Sequence, residues 1–213
     1  MTSAKICGLS TPDAVASALD GKAAFVGFIF FPKSPRNVDP DLAAQLAEPA
    51  RRRGVKVVAV VVDPEDNDLD RIVRIVRPDL IQLHGAETPA RATQIGVRTG
   101  LGVIKAIPVT DAADLAAAHA FEDVAQHLMF DARPPKGSEL PGGVGASFDW
   151  TILKDRKFKR PHFLAGGLDP WNVTEAVRQS GAPLVDVSSG VERGPGYKDP
   201  ALIQAFLETV RRT

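Results

Sequence analysis

Eight short apolar runs alternate with eight segments of helical spacing along this chain, and only a fold made of repeated strand–helix units absorbs that order. The runs are Lys5–Cys7, Ala24–Phe30, Val57–Val62, Leu80–Leu83, Gly102–Ile107, His127–Asp131, Pro161–Ala165 and Leu184–Val187. Most are β-branched or aromatic without strict alternation, as in strands buried on both faces of a parallel sheet. Between them the spacing predicts helices over Asp13–Leu19, Pro40–Arg53, Asp68–Val76, Thr88–Gly96, Asp111–His119, Phe148–Leu153, Pro170–Gln179 and Asp199–Arg211. Thr11-Pro12, Asp39-Pro40 and Asp169-Pro170 supply caps with proline in the first turn, and Gly54 and Gly181 stand where helices should stop. The 213 residues divide into eight units of about 27 each. Eight equal units close into a single (β/α)8 (TIM) barrel spanning residues 1–213. A doubly wound open sheet is the competing architecture.

Composition narrows the function classes. Lys+Arg and Asp+Glu are equal at 26 each, which leaves no basic excess for nucleic acid. The longest apolar stretch, Val57–Val62, is far too short to span a bilayer. Met1-Thr2-Ser3 runs straight into a strand pattern with no secretory core, and the one cysteine has no internal disulfide partner. These features point to a cytoplasmic protein with a small-molecule partner, as monomer or homodimer. The four histidines lie far apart without ligand spacing, so no metal is expected.

In a barrel of this kind the strand ends open on one face, where the site is built. Cys7 closes the first run, and Lys5, two residues earlier, shares its side of the strand and brings a cation near. Arg36 follows the second run, Asp63 the third, His84-Gly85 the fourth, and Asp131 ends the sixth. A thiol and a carboxyl at two strand ends form a candidate base and acid. Each has a plainer reading. Cys7 could pack as a small apolar side chain, although its place beside Gly8 suggests exposure at the mouth. Asp131 could cap a turn, Arg36 could be solvated, and His84 could be a hydrogen-bonded structural residue. Asp63-Pro64 reads as a turn and Lys154–Arg160 as a solvated helix end and loop.

After the seventh run comes Gly166-Gly167, and after the eighth Ser188-Ser189-Gly190. Glycine lets an anion approach backbone N–H groups, and these two loops are a recurrent phosphate position in such barrels. The one long irregular stretch, Ala132–Ser147, has the length of a functional loop.

Laid out in order, these motifs resemble the phosphoribosylanthranilate isomerase family. The likeness runs from Lys5 to Asp199 and rests on Lys5-Ile6-Cys7-Gly8-Leu9, Ser34-Pro35-Arg36, Gln82-Leu83-His84-Gly85 and Phe130-Asp131. It continues through Gly142-Gly143-Val144-Gly145, Leu164-Ala165-Gly166-Gly167-Leu168, and Asp186-Val187-Ser188-Ser189-Gly190-Val191-Glu192 before Lys198-Asp199. The resemblance implies a cofactor-free barrel that performs an Amadori rearrangement on a sugar phosphate carrying an anthranilate group. It implies Asp131 as general acid, Cys7 as general base, and Arg36 as a clamp on the anthranilate carboxylate. Phosphate would be held by the Gly166-Gly167 and Ser188–Gly190 backbones, with His84 and Asp186 as weaker candidates for substrate contact. The family's Gly-Gly-Thr-Gly is Gly-Gly-Val-Gly here, so a hydroxyl is lost at Val144. Ala132-Arg133-Pro134-Pro135-Lys136 also departs from the family's small polar residues, leaving Arg133 and Lys136 unassigned. Two alternatives stand beside this reading. One is a different sugar-phosphate barrel, such as a histidine-pathway isomerase or an indole-glycerol-phosphate synthase-like enzyme, which would lack the Cys7 and Asp131 pair. The other is a binder without catalysis.

Overall fold

The computed structural model describes residues 2–135, 137–138, 140–143 and 145–213. The Lys136 and Val144 readings lie outside the described residues. Eight parallel strands close a barrel in chain order, each hydrogen-bonded to the next and the eighth to the first. They are β1 Ser3–Cys7, β2 Phe25–Phe30, β3 Lys56–Val61, β4 Leu80–Leu83, β5 Gly102–Val109, β6 His127–Ala132, β7 His162–Leu164 and β8 Leu184–Val187. Closure in this order removes the open doubly wound sheet from consideration. A small antiparallel hairpin, β9 Glu192–Gly194 with β10 Tyr197–Lys198, follows β8 and was not foreseen.

Among the described residues six α-helices coat the barrel: α1 Pro12–Asp20, α2 Pro40–Arg52, α3 Asp66–Val76, α4 Pro89–Thr99, α5 Val173–Ser180 and α6 Pro200–Arg212. Thr11, Asp39, Thr88 and Asp199 cap their helices by accepting from first-turn N–H groups, and α1, α2, α4 and α6 each carry proline at the start. The two remaining expected helices are corrected. Residues Ala112–Phe121 and Trp150–Leu153 form 3-10 segments. In the first, the buried side chains are Leu115, Ala118 and Phe121, a strict three-residue repeat that suits three residues per turn. The second is only four residues long and ends at Lys154. Among the described residues no helix is long and apolar enough to cross a membrane.

Two apolar layers result. The larger lies between the strands' outer faces and the helices and holds Ile6, Val26, Phe28, Ile81, Phe130, Leu164 and Phe206. The smaller fills the barrel interior with Val58, Val60, Leu80, Ile104, Ala106, Met129, Phe163 and Ala165. Cys7 sits on top of this inner layer, which closes the barrel beneath the strand ends.

Candidate active site

The cavity at the C-terminal ends of the strands brings together most of the expected residues. Cys7, Arg36, His84, Asp131, Gly166, Gly167, Asp186, Ser188 and Ser189 all line it. Gly190 does not: it packs edge-on against the Leu168 carbonyl and so joins the two glycine-bearing loops to each other. Cys7 is less exposed than expected, at 4%. Its lower side rests on the apolar interior and its upper side forms part of the cavity floor.

Beneath Cys7 lies a completely buried lysine. Lys5 is 0% exposed, and its Nζ donates to Asp186 Oδ1 at 2.8 Å. The two are register partners across β1 and β8, so their side chains leave the sheet side by side. Lys5 and Cys7 point to the same side, as their two-residue spacing requires. They meet over Gly27 of β2, where a Cβ would lie 3.1 Å from the sulfur and 3.2 Å from Nζ. Glycine is thus needed at that position for room. Burial pushes the Cys7 thiol up from its ordinary value, Lys5 draws it back, and the Asp186 carboxylate raises it again, leaving it high on balance. Burial would lower the Lys5 ammonium, but Asp186 and Cys7 outweigh it and hold the group above its usual range.

Arg36 is 4% exposed, not solvated. Its Nε and Nη2 edge is turned to Glu192, at 2.7 and 2.9 Å, and Nη2 also donates to the Gly143 carbonyl at 3.1 Å. The bidentate fork expected for a ligand carboxylate is therefore engaged within the protein, and Nη1 is the remaining edge. Glu192 also accepts from Lys198 Nζ at 2.7 Å. Burial pushes the Glu192 carboxyl up, yet Arg36 and Lys198 together hold it below its usual range. The Lys198 ammonium is driven down by burial, and Glu192 only partly offsets this. Lys198 further donates to the Ser188 carbonyl at 2.8 Å and hydroxyl at 3.2 Å, while that hydroxyl donates to the Cys7 carbonyl at 3.2 Å. The Ser188 hydroxyl is thus committed to fixing the β1 end.

Across the cavity, Gln82 Nε2 donates to His84 Nδ1 at 2.9 Å, and His84 Nε2 stands 2.9 Å from Asp131 Oδ2. Behind His84, Lys105 donates to the Gly85 carbonyl at 2.7 Å and to Glu87 at 2.8 Å. Glu87 in turn accepts from the backbone of Gly85 and of Asp63. The loops after β3 and β4 are thereby pinned. The Asp63 carboxylate accepts from Ala86 N–H, in line with its turn reading. Loop residues reach back over the site: a Cβ at Gly142 would lie 2.5 Å from Asp131 Oδ2 and 2.7 Å from His84 Nε2. Arg133 is occupied outside the cavity with Asp114, Thr110 and the Pro108 carbonyl.

A thiol over a buried ammonium and an imidazole-linked carboxyl line one cavity, with two glycine-bearing loops beside them. The family model for N-(5'-phosphoribosyl)anthranilate (PRA) isomerase matches residues 4–209. The chain belongs to this family. The isomerase of Caulobacter vibrioides is 66% identical over 209 residues, covering 98% of this chain and 95% of the relative. That of Brucella canis is 52% identical over 206 residues, with 97% and 92% covered. Among solved structures, phosphoribosyl anthranilate isomerase from Thermotoga maritima superposes with a TM-score of 0.89 at 32% identity over the whole of both chains. A PRA isomerase solved in complex with reduced 1-(o-carboxyphenylamino)-1-deoxyribulose 5-phosphate gives 0.83 at 30% identity, again over both whole chains.

Lys5 stands beside Cys7 as its two-residue spacing implies, whereas the motifs gave Gln82, Glu192 and Lys198 no place in the site. Glu87 and Lys105 went unnoticed. The signal that could have found them is a charged residue inside an apolar strand, as Lys5 and Lys105 both are.

Proposed function

We propose that this chain isomerises N-(5'-phosphoribosyl)anthranilate to 1-(2-carboxyphenylamino)-1-deoxyribulose 5-phosphate, with Asp131 as general acid and Cys7 as general base. The observation that carries the assignment of roles is that both residues line one cavity together with Gly166, Gly167 and Ser189. The phosphate sits against the backbones of Gly166-Gly167 and Ser188-Ser189, which line the cavity, and the anthranilate carboxylate meets Arg36 through Nη1. The pentose then lies between carboxyl and thiol, which is the positional part of catalysis.

Asp131 gives its proton to the ribose ring oxygen as the C1′–O bond breaks and the anilino nitrogen forms the C1′=N bond. Cys7, as thiolate, takes the proton from C2′, and the C2′–H electron pair becomes the C1′=C2′ bond of an enolamine. C1′ then gains a proton while the 2′-oxygen loses one, giving the ketone. Exchange with solvent returns Asp131 and Cys7 to their starting forms, so the overall change is an isomerisation without any oxidant or reductant. His84 orients the Asp131 carboxyl through Nε2, leaving Oδ1, which lies toward Gly166, for the substrate. Asp186 is assigned to holding Lys5, with its cavity-facing edge near the sugar. We place the enzyme in the cytoplasm, where a lone thiol stays reduced, acting on a small sugar phosphate.

The test follows loss of N-(5'-phosphoribosyl)anthranilate with the purified protein and with Cys7→Ala and Asp131→Asn. Each substitution should lower kcat by about 10²–10⁴-fold, the usual worth of positioned acid–base groups, while product still binds. Turnover close to that of the unaltered chain in either variant removes that residue from its role.

A further inference from the structure

Among the described residues, five charged side chains stand on the Cys7 side of the cavity in two linked groups, Lys5–Asp186 beside the sulfur and Arg36–Glu192–Lys198 next to it, and their signs do not balance. Lys5, Arg36 and Lys198 are cations, and Asp186 and Glu192 are the carboxylates paired with them. Lys5, Arg36, Asp186 and Lys198 are all no more than 7% exposed, and the Glu192 side chain is 4% exposed. One positive charge is left over in a place that water barely reaches. From the strands on the far side of the cavity, His84 and Asp131 face in and are bonded to each other. β2 presents Gly27 beside the sulfur and the uncharged Ile29 in the same cavity, and the interior below holds a layer of hydrocarbon.

The Lys5–Asp186 pair has no stability reason to exist. A buried ion pair replaced by well-packed hydrocarbon of the same volume is commonly as stable or more so, so burial of this one argues for a task. Its position supplies one, because the ammonium and the sulfur share the space above Gly27. We propose that Lys5, anchored by Asp186, is the positioning residue that makes Cys7 a base, its ammonium being the counter-charge of the Cys7 thiolate. This deepens the proposed function and rests on the base role assigned there. With the thiolate formed, three cations face three anions on this side of the cavity. With the thiol protonated, the surplus charge is left for an incoming anionic substrate. Asp186 works in opposition as well as in support: it fixes Lys5 in place but its own charge disfavours a second anion nearby. The two residues are thereby distinguished from a merely structural pair, since removing either would loosen the barrel alike but would move the thiol in opposite directions.

Because the chain has a single cysteine, thiolate formation can be read directly from far-ultraviolet absorbance against pH, with Cys7→Ala as the blank that removes the tyrosine and tryptophan signals. The midpoint should rise by about one unit or more in Lys5→Met, meaning roughly tenfold less thiolate at a fixed pH below it. It should fall in Asp186→Asn. The acid limb of kcat/KM should move with the midpoint in each variant. Lys5→Met leaves Asp186 buried without its partner, so Lys5→Met/Asp186→Asn is the variant to use if the single one does not fold. In it the midpoint still rises, by less, because the Lys5 ammonium shares the space above Gly27 with the sulfur, while Asp186 reaches it from the neighbouring strand. An unchanged midpoint in a folded Lys5→Met or double variant overturns the proposal, as does movement of Lys5→Met and Asp186→Asn in the same direction. Absence of turnover in the unaltered chain would overturn the base role beneath it, whereas an unchanged midpoint in an active enzyme removes Lys5 alone.

Discussion

Glu192→Gln tests how far the mouth of the barrel depends on one carboxylate. Glu192 accepts four hydrogen bonds: from Arg36 Nε at 2.7 Å, Arg36 Nη2 at 2.9 Å, Lys198 Nζ at 2.7 Å and Gly196 N–H at 3.2 Å. Side-chain exposures are 5% for Arg36, 2% for Lys198 and 4% for Glu192. Glutamine keeps one oxygen but turns an NH2 group towards a donor, whichever way its amide is placed. Two buried cations are then left without a counter-charge. Breaking a buried pair in this way costs about 3–5 kcal/mol. For a chain of this size each kcal/mol lowers Tm by roughly 2–4 °C, so the loss should be about 6–20 °C by calorimetry. Asp70→Asn is the control, because it breaks the exposed pair with Arg98 and should shift Tm by no more than about 2 °C. The pH dependence has a definite sign. The native Glu192 carboxyl is held below its unfolded value of 4.5. Its stabilisation is therefore full above that pH and is lost as pH falls through the lower native value. The gap between the two proteins should close at acid pH. A Tm loss below about 3 °C near neutrality, or a gap that widens on acidification, refutes the reasoning.

Two further changes probe other parts of the account. Gly166 has φ +86°, and a Cβ there would lie 2.5 Å from both the Cβ and the N of Ala132. Gly166→Ala should raise KM, and raise the Kd for inorganic phosphate in the same proportion, by about tenfold or more, since the loop must move off its anion-binding shape; an unchanged phosphate Kd would show that this loop does not hold the anion. His162 packs edge-on against the rings of Phe130 and Phe158, its Nε2 has no partner among the described residues, and burial lowers its pKa to about 4. The neutral ring is favoured in the folded state, so its contribution is full above pH 6.5, the ordinary histidine value, and disappears as pH falls towards 4. Between those limits urea titrations should show the unaltered chain losing up to roughly 3 kcal/mol more than His162→Phe, and parallel pH curves would contradict this.

The strands were legible because each is a short apolar run between turn signals, and closure followed from their number. The two helices that came out as 3-10 segments mark a limit of the same reasoning. Ala112–Phe121 is alanine-rich, and apolar content hid the three-residue repeat of its buried side chains. At the site, Cys7, His84, Asp131 and the glycine loops could be placed because chain order alone carries strand ends to one face. The partners that decide their chemistry could not. Arg36 meets Glu192 across 156 positions, and Lys5 meets Asp186 across 181. Such pairings depend on barrel register, which periodicity does not report. The exposure expected for Cys7 failed for a related reason: the strand end is at the mouth, but Lys5, Asp186 and the inner apolar layer pack around the sulfur.

The most direct measurement is a crystal structure of this chain with reduced 1-(o-carboxyphenylamino)-1-deoxyribulose 5-phosphate bound. The phosphate should rest on the Gly166-Gly167 and Ser188-Ser189 backbones. Cys7 Sγ should stand within about 3.5 Å of C2′, and an Asp131 carboxylate oxygen within hydrogen-bond reach of the oxygen released by ring opening. A ligand bound with its pentose beyond reach of the sulfur, or with its phosphate at the His84 side, would contradict the account.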